Sequence, residues 1–136
     1  MASDWIRGNS KRCIVLVDTS AIFMIFEKHI RLEEELTRLL GSYKIVIIQS
    51  IKDELCFLKE NGSRKQKRMA KAALSLIQRF DTIEGEIRDL VDDSLFETAV
   101  SLSAIVVTND KVLRRKLNTV GIVTICIRGD NHLMIS

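Results

Sequence analysis

The apolar run Ile14-Val15-Leu16-Val17 stops on a carboxylate, Asp18, with Thr19 and Ser20 behind it. An unbroken run of branched side chains, with no polar alternation, is the pattern of a strand covered on both faces, as in a parallel sheet flanked by helices. In open α/β sheets ligands sit just beyond the carboxyl ends of the strands, and Asp18 falls there. A plainer role competes, because Asp18, Thr19 or Ser20 can cap a helix starting near Ala21. Taken alone, the stretch favours the cap.

The arrangement recurs along the chain. Lys44-Ile45-Val46-Ile47-Ile48 runs straight into Gln49-Ser50-Ile51-Lys52-Asp53-Glu54-Leu55, where Ser50 followed by Asp53 is a weak capping-box pattern opening a helix. At roughly 100° per residue, Glu54 falls beside Ile51 and Leu58 at the edge of the apolar stripe, and Asp53 points away. Glu54 can therefore look back over the sheet, or border the stripe and reach water. Ala104-Ile105-Val106-Val107 is a third apolar strand, closed at once by Thr108-Asn109-Asp110 before a helix from Lys111 to Leu117. Asn118-Thr119-Val120-Gly121 then turns the chain into a last strand, Ile122 to Ile127.

Helical spacing fills the intervals. Ala21 to Lys28 and Ile30 to Leu40 read as helices, the second with Leu32, Leu36, Leu39 and Leu40 in phase and Gly41 as its stop. Asn61-Gly62-Ser63 breaks the chain before a long helix, Arg64 to Phe80, whose inward face is Met69, Ala72, Ala73, Leu76, Ile77 and Phe80. Asp81 to Val91, with Gly85, reads as loop and irregular structure. Asp92 to Leu102 is a further helix, and Leu95, Phe96, Ala99 and Leu102 set its apolar face; Asp92 falls near the middle of that face and Asp93 toward its margin. Strands alternating with helices specify a three-layer α/β/α sandwich with a central, mostly parallel sheet. The expected organisation is a single domain over 1–136, with a core of about 13–128 and tails at 1–12 and 129–136.

A chain of 136 residues, 46% hydrophobic and 29% charged, can close one core. Its net charge, 21 basic minus 18 acidic residues, is only +3, so any nucleic-acid signal lies in placement. Arg64, Lys67, Arg68 and Lys71 repeat at i, i+3, i+4 and i+7, joined by Lys59 and Lys65, and such a stripe suits a phosphate backbone or, more plainly, a solvated helix face. Arg114, Arg115 and Lys116 form a second basic group just after Asp110. Cys13, Cys56 and Cys126 are widely spaced, with no C-x-x-C pair, and read as buried thiols in a reducing compartment rather than a zinc site. No apolar stretch has membrane-spanning length, so the expected location is the cytoplasm, with no membrane partner.

Parallel strands bring their carboxyl ends to one sheet edge, and with them Asp18, Asp110, Glu54 one helical turn past a strand, and Asp92 at the head of the helix feeding the third strand. Four carboxylates gathered there repel one another unless a divalent cation neutralises them. An all-oxygen ligand set suits Mg²⁺ or Mn²⁺ rather than zinc. Each acid alone is explained as a cap; four at equivalent places are not. His29 and His132 are isolated and neither follows a strand, so no Ser-His-Asp or Cys-His arrangement competes.

The stretches Ile14-Val15-Leu16-Val17-Asp18-Thr19-Ser20, Gln49-Ser50-Ile51-Lys52-Asp53-Glu54-Leu55, Asp92-Asp93 and Ile105-Val106-Val107-Thr108-Asn109-Asp110-Lys111, in this order and spacing, resemble the PIN domain family from about Cys13 to Arg128. The continuation Lys111 to Leu117, then Gly121-Ile122 and a strand, is similar to the rRNA-processing branch of archaeal and eukaryotic PIN nucleases, with VapC toxins as the other close relatives. The zinc ribbon that accompanies some rRNA-processing relatives is missing.

The resemblance implies a metal-dependent endoribonuclease using Mg²⁺ or Mn²⁺, with Asp18, Glu54, Asp92 and Asp110 as the acidic quartet and 5′-phosphate and 3′-hydroxyl products. Ser20 and Thr108, with Asn109 beside it, match the polar helpers. The family match leaves Asp92 and Asp93 both open as ligand; the angular count prefers Asp92. Implied partners are RNA, single-stranded or structured, with an rRNA precursor among the candidates, and an antitoxin, a ribosome-assembly protein or a second copy of the chain. Two other functional classes stay open, the toxin of a toxin-antitoxin pair and a catalytically silent RNA- or protein-binding module. A receiver-like phosphoacceptor fits badly, because it does not account for the late acids Asp92 and Asp110.

Overall fold

Val15 and Leu16 are wholly buried, as a strand covered on both faces requires. They lie in a computed structural model that describes residues 12–85, 91–129 and 131–136, excluding the side chains of residues 12 and 91–93. Among the described residues the elements run β1 (Arg12–Val17), α1 (Thr19–Glu27), α2 (Leu32–Leu40), β2 (Ser42–Ile48), α3 (Gln49–Asn61), α4 (Arg64–Ile77), β3 (Asp81–Ile83), α5 (Val91–Leu102), β4 (Ile105–Val107), α6 (Lys111–Thr119), β5 (Thr124–Arg128) and β6 (His132–Ile135).

The strands form one sheet in the order β3-β2-β1-β4-β5-β6. β1 pairs in parallel with β2, Leu16 opposite Val46, and with β4, Leu16 opposite Val106. Only β6 runs antiparallel, against β5. From β1 the chain winds outward to β2 and β3, then crosses back to β4 and winds the other way to β5. Right-handed crossovers, the general rule for parallel strands, are expected to place α1 to α4 on one face and α5 and α6 on the other. α1 and α3 pack with α4, and α5 packs with α6, as this predicts. The expected three-layer α/β sandwich is therefore the observed one, and the winding reverses between β1 and β4.

Two strands depart from the reading of the sequence. Asp81–Ile83 is β3, paired with Val46–Ile48, where irregular structure was expected. It is three residues long with Asp81 and Thr82 exposed, so it carries no apolar run, and its pairing with β2 makes it a strand. The C-terminal stretch expected as a loose tail contains β6, with Leu133 opposite Ile127 and only 1% exposed. Helix limits also shift. α4 ends at Ile77, and Phe80 packs on the core from beyond it. α4 buries Ala70 with Ala73 and Ile77, leaving Met69, Ala72 and Leu76 half-buried. α2 begins at Leu32, and β5 begins at Thr124.

The capping box lies elsewhere than expected. α3 starts at Gln49 with no side-chain cap, so Ser50 is inside its first turn, and Asp53 accepts from Gln49 Nε2 at 2.9 Å. The box is instead formed at α4, where Ser63 Oγ accepts from the Gln66 N–H and Gln66 Oε1 accepts from the Ser63 N–H. A β2 strand running without a loop into α3 leaves no residue free to cap it. Of the thiols expected to be buried, Cys126 is; Cys13 is half-buried and Cys56 is exposed on α3. Among the described residues, no helix is long and apolar enough to cross a membrane.

Candidate active site

The site begins where β1 and β4 end side by side. The Asp18 N–H donates to Val107 O at 3.0 Å, and the Thr108 N–H to Ile125 O at 2.9 Å, so the ladder continues one residue past the strand ends and fixes both backbones. Asp18 is 5% exposed and Thr108 1%. A buried carboxylate must recover in hydrogen bonds what it loses in hydration. Asp18 Oδ2 does so by accepting from Thr108 Oγ1 at 2.7 Å and from Ser20 Oγ at 2.9 Å. Two of the three residues expected as polar helpers, Ser20 and Thr108, are thus on the Asp18 carboxylate.

Thr108 also reaches forward, its Oγ1 accepting from the Asp110 N–H at 3.1 Å. Asp110 is the N-cap of α6, Oδ1 accepting from the Val112 and Leu113 N–H groups at 2.9 and 3.2 Å. Capping and a place at the site coexist here, since the cap orients the carboxyl group at the helix N-terminus beside β4. Asp110 N–H, the Thr108 hydroxyl and the Asp18 carboxylate form one hydrogen-bonded chain across the strand reversal.

Glu54 approaches from α3, half-buried, as the angular count expects, while Asp53 is exposed. Its Oε1 accepts from Thr19 Oγ1 at 2.7 Å, which ties α3 to the first residue of α1, next to Asp18. Thr19 is the site residue that the sequence reading passed over, treating it only as a candidate cap. The available signal was its place directly after Asp18, where the first turn of a helix turns a hydroxyl toward the next strand's connection.

Other expected site residues are placed differently. Asn109 turns from the carboxylates, donating through Nδ2 to Met24 Sδ at 2.8 Å and accepting the Ile127 N–H at 2.9 Å, so it braces the loop between α1 and β5. Asp92 and Asp93 open α5, whose first described residue is Val91, but their side chains lie outside the described residues. Arg64, Lys67, Arg68 and Lys71 are exposed. Their helix begins near the far end of α1, since Lys65 pairs with Glu27 at 3.6 Å, roughly 12 Å of helix from Thr19 at 1.5 Å per residue. Arg114 is half-buried and Arg115 exposed on α6, closer to Asp110, while Lys116 lies over the Phe96 ring at 5.1 Å.

Among the described residues, no three His, Cys, Asp or Glu side chains stand close enough to hold a metal ion. The Thr108 hydroxyl links the Asp18 carboxylate to the Asp110 N–H, Glu54 is held separately by Thr19, and the remaining expected ligand is one of Asp92 and Asp93. The donors present are all oxygens, which fit a hard cation such as Mg²⁺ or Mn²⁺ and not a thiolate-seeking one. A cavity of about 560 Å³ lies away from these acids, lined by Ile25, Phe26, Ile30, Leu32 and Leu76 among others. The site is therefore assigned by its carboxylates and not by cavity size.

In open α/β folds the crevice at the strand reversal is the ligand position, so the class defined here is an α/β sandwich with an oxygen-lined acidic site at its switch point. The PIN like domain family matches residues 15–130, and the chain belongs to that family. Ribonuclease VapC9 of Archaeoglobus fulgidus is 33% identical over 135 residues, covering 99% of this chain and 97% of that protein. The structure of the PIN domain endonuclease Utp24 superposes with a TM-score of 0.76 at 22% identity, covering 90% of each chain, and supports the fold. The resemblance read from the four acidic stretches is borne out by these matches.

Proposed function

We propose that this protein is a divalent-metal-dependent endoribonuclease that hydrolyses RNA phosphodiester bonds, with processing of rRNA or other RNA as its setting. The observation that carries the reading is the buried Asp18 at the β1/β4 reversal, its Oδ2 held by Ser20 and Thr108. The family membership and the name of the 33% identical relative point the same way.

In this reading Asp18, Asp110 and one of Asp92 and Asp93 hold Mg²⁺ or Mn²⁺, with Glu54 as a further ligand or as the group that orients the attacking water. The bound ion supplies a water of lowered pKa and charge stabilisation for an in-line displacement. The chain's own residues do the rest. Ser20 and Thr108 fix the rotamer of Asp18, and Thr19 fixes the carboxylate of Glu54, so the acids are held before substrate arrives. Arg114 and Arg115 on α6, and more remotely the α4 stripe, neutralise phosphates flanking the cut.

The test is cleavage of RNA in Mn²⁺ by wild type and Asp18→Asn, each shown free of contaminating nuclease. Wild type cleaves and the variant does not; equal cleavage by both overturns the metal-site reading, and a wild type that binds RNA without cutting it at any metal concentration identifies a silent module. A second reading, the toxin of a toxin-antitoxin pair, is favoured by the similarity to Ribonuclease VapC9 over nearly both chains. Expression separates the two: growth arrest relieved by a neighbouring small DNA-binding protein assigns the toxin role, and unimpaired growth returns the protein to RNA processing.

A further inference from the structure

The described glycines serve this chain in two different ways. Gly41, Gly121 and Gly129 have left-handed φ and no heavy atom within 4 Å of where a side chain would start, so each supplies a backbone conformation. Gly62 is crowded only by Leu58 and Gln66, its own neighbours across the turn between α3 and α4. Gly85 is the reverse case. Its φ lies outside the left-handed region, and a Cβ there would stand 2.7 Å from Ile48 Cγ2, 2.7 Å from Ser94 Oγ and 3.0 Å from Thr98 Oγ1. Space, and not conformation, is what requires glycine at 85.

The three crowding side chains come from two elements that lead to site acids. Ile48 ends β2, and the chain passes from it directly into α3 and Glu54. Ser94 and Thr98 are four residues apart on one side of α5, and Asp92 and Asp93 immediately precede Ser94 on that helix. Gly85 stands two residues past Ile83, which pairs with Ile48, so it fills the angle where β2 turns away into α3. α3 and α5 also touch directly. Ile48 is 1% exposed and Ser94 and Thr98 are 4% exposed, so no solvent layer is left to yield. Ordinary contact begins near 3.4 Å, and a methyl at 85 must therefore open the joint by about 0.7 Å. Ile48 and Thr98 are β-branched and stiff at χ1. β2 is bonded on both sides, to β1 and β3, whereas α5 has solvent beyond its exposed Val100 and Ser101, so α5 is the element that gives way.

We propose that Gly85 is a positioning residue for the metal site: having no side chain, it lets α5 close on the end of β2, and that closure sets the separation between the acid at the head of α5 and Glu54. The proposal rests on the ribonuclease reading and adds to it a residue that touches neither metal nor substrate. Shifts of this size matter to the chemistry, because a misplacement of about 1 Å can cost roughly 100-fold in rate and Mg²⁺ demands near-ideal octahedral geometry.

Mn²⁺ binding, read from the electron paramagnetic resonance signal of the free ion, is measured beside RNA cleavage on wild type, Gly85→Ala, Gly85→Ala with Ser94→Ala, and Ile77→Val. Gly85→Ala weakens Mn²⁺ binding and lowers kcat, each by about 10- to 100-fold, and leaves KM for RNA in place. Adding Ser94→Ala removes the nearest oxygen and recovers part of both losses. Ile77→Val, a core truncation on α4, lowers the melting temperature and keeps wild-type Mn²⁺ affinity, which separates positioning from general destabilisation. Should Gly85→Ala not fold, Ser94→Val enlarges the other side of the same contact and gives the same loss of Mn²⁺ binding. Wild-type Mn²⁺ affinity and kcat in folded Gly85→Ala, or in folded Ser94→Val where it takes that place, overturn the positioning role, and cleavage by wild type then leaves the ribonuclease reading intact. A loss of Mn²⁺ binding that Ile77→Val reproduces at equal melting temperature overturns it as well. Wild type that neither binds Mn²⁺ nor cuts RNA removes both readings.

Discussion

Asp18 and Glu35 are both carboxylates held by a distant part of the chain, and they are held by opposite means. Glu35, on α2, accepts from Arg38 Nη2 at 2.8 Å and from the Leu133 N–H of β6 at 3.0 Å, while Arg38 also donates to Leu133 O at 2.8 Å. The pair closes around the outward-facing peptide groups of an edge strand, a place that otherwise invites pairing with another chain. Asp18 accepts two hydroxyls, and its described partners include no cation. A carboxylate that secures the fold has its charge answered within the protein. Asp18 is oriented by neutral donors only, and in the proposed function its charge is left for the metal to answer.

The sharpest way to break this comparison is Asp18→Asn. RNA cleavage falls by more than the roughly 10- to 100-fold cost of losing an outer-shell partner, while the melting temperature holds or rises because a buried charge is removed. Cleavage assays and thermal melts on one preparation check both halves, and a large drop in stability would put Asp18 in the same structural role as Glu35. Ser20→Ala and Thr108→Val should each reduce activity by about 10- to 100-fold, with a weakened apparent Mn²⁺ affinity, because each loosens Asp18 without removing it.

The next effect concerns the acids at the head of α5. Asp92→Asn loses cleavage far more severely than Asp93→Asn, since the helical count directs Asp92 toward the core face and Asp93 toward its margin. Parallel rate measurements decide it; equal losses mean that the helix phase is shifted.

Glu35→Gln supplies the opposite result. It leaves cleavage unchanged and lowers the melting temperature at neutral pH by roughly 5–10 °C, the scale of one charge-assisted hydrogen bond. The Arg38 hydrogen bond, with the Leu133 N–H, holds the Glu35 carboxyl at about 2, well below its ordinary 4.5. A depressed folded-state pKa means that the ion contributes fully above pH 4.5, and its contribution is lost as pH falls toward 2. Melts across that window should therefore show wild type and Glu35→Gln converging near pH 2; a constant gap would detach the stability from the charge.

The smallest expected effect lies on the surface. Arg64→Gln with Arg68→Gln flattens the salt dependence of single-strand RNA binding by about 0.7 for each phosphate no longer neutralised, and leaves metal affinity alone. An unchanged slope transfers the phosphates to Arg114 and Arg115, which are nearer to Asp110 in the chain.

What the sequence by itself determined is the set of elements whose pattern is local. Ile14–Val17, Ile45–Ile48 and Ile105–Val107 are apolar enough to be strands wherever they are placed, and each announces its acid or its helix immediately afterward, so β1, β2 and β4, and the places of Asp18 and Asp110 just beyond two of them, were legible. Glu54 was legible from helical phase alone, because the 3.6-residue period depends on nothing outside α3.

The tertiary structure decided what depends on partners distant in the chain. Asp81–Ile83 and His132–Ile135 are strands because β2 and β5 offer them hydrogen bonds; three polar-edged residues have no such preference of their own. Thr19 became a site residue through a carboxylate 35 positions away, and Asn109 left the acidic site for Met24 and Ile127. A hydroxyl or amide is short and finds whatever donor or acceptor the packing brings within about 3 Å. Its role is therefore a property of the assembled sheet edge, whereas apolar periodicity, which sums over many residues, is already a property of the chain.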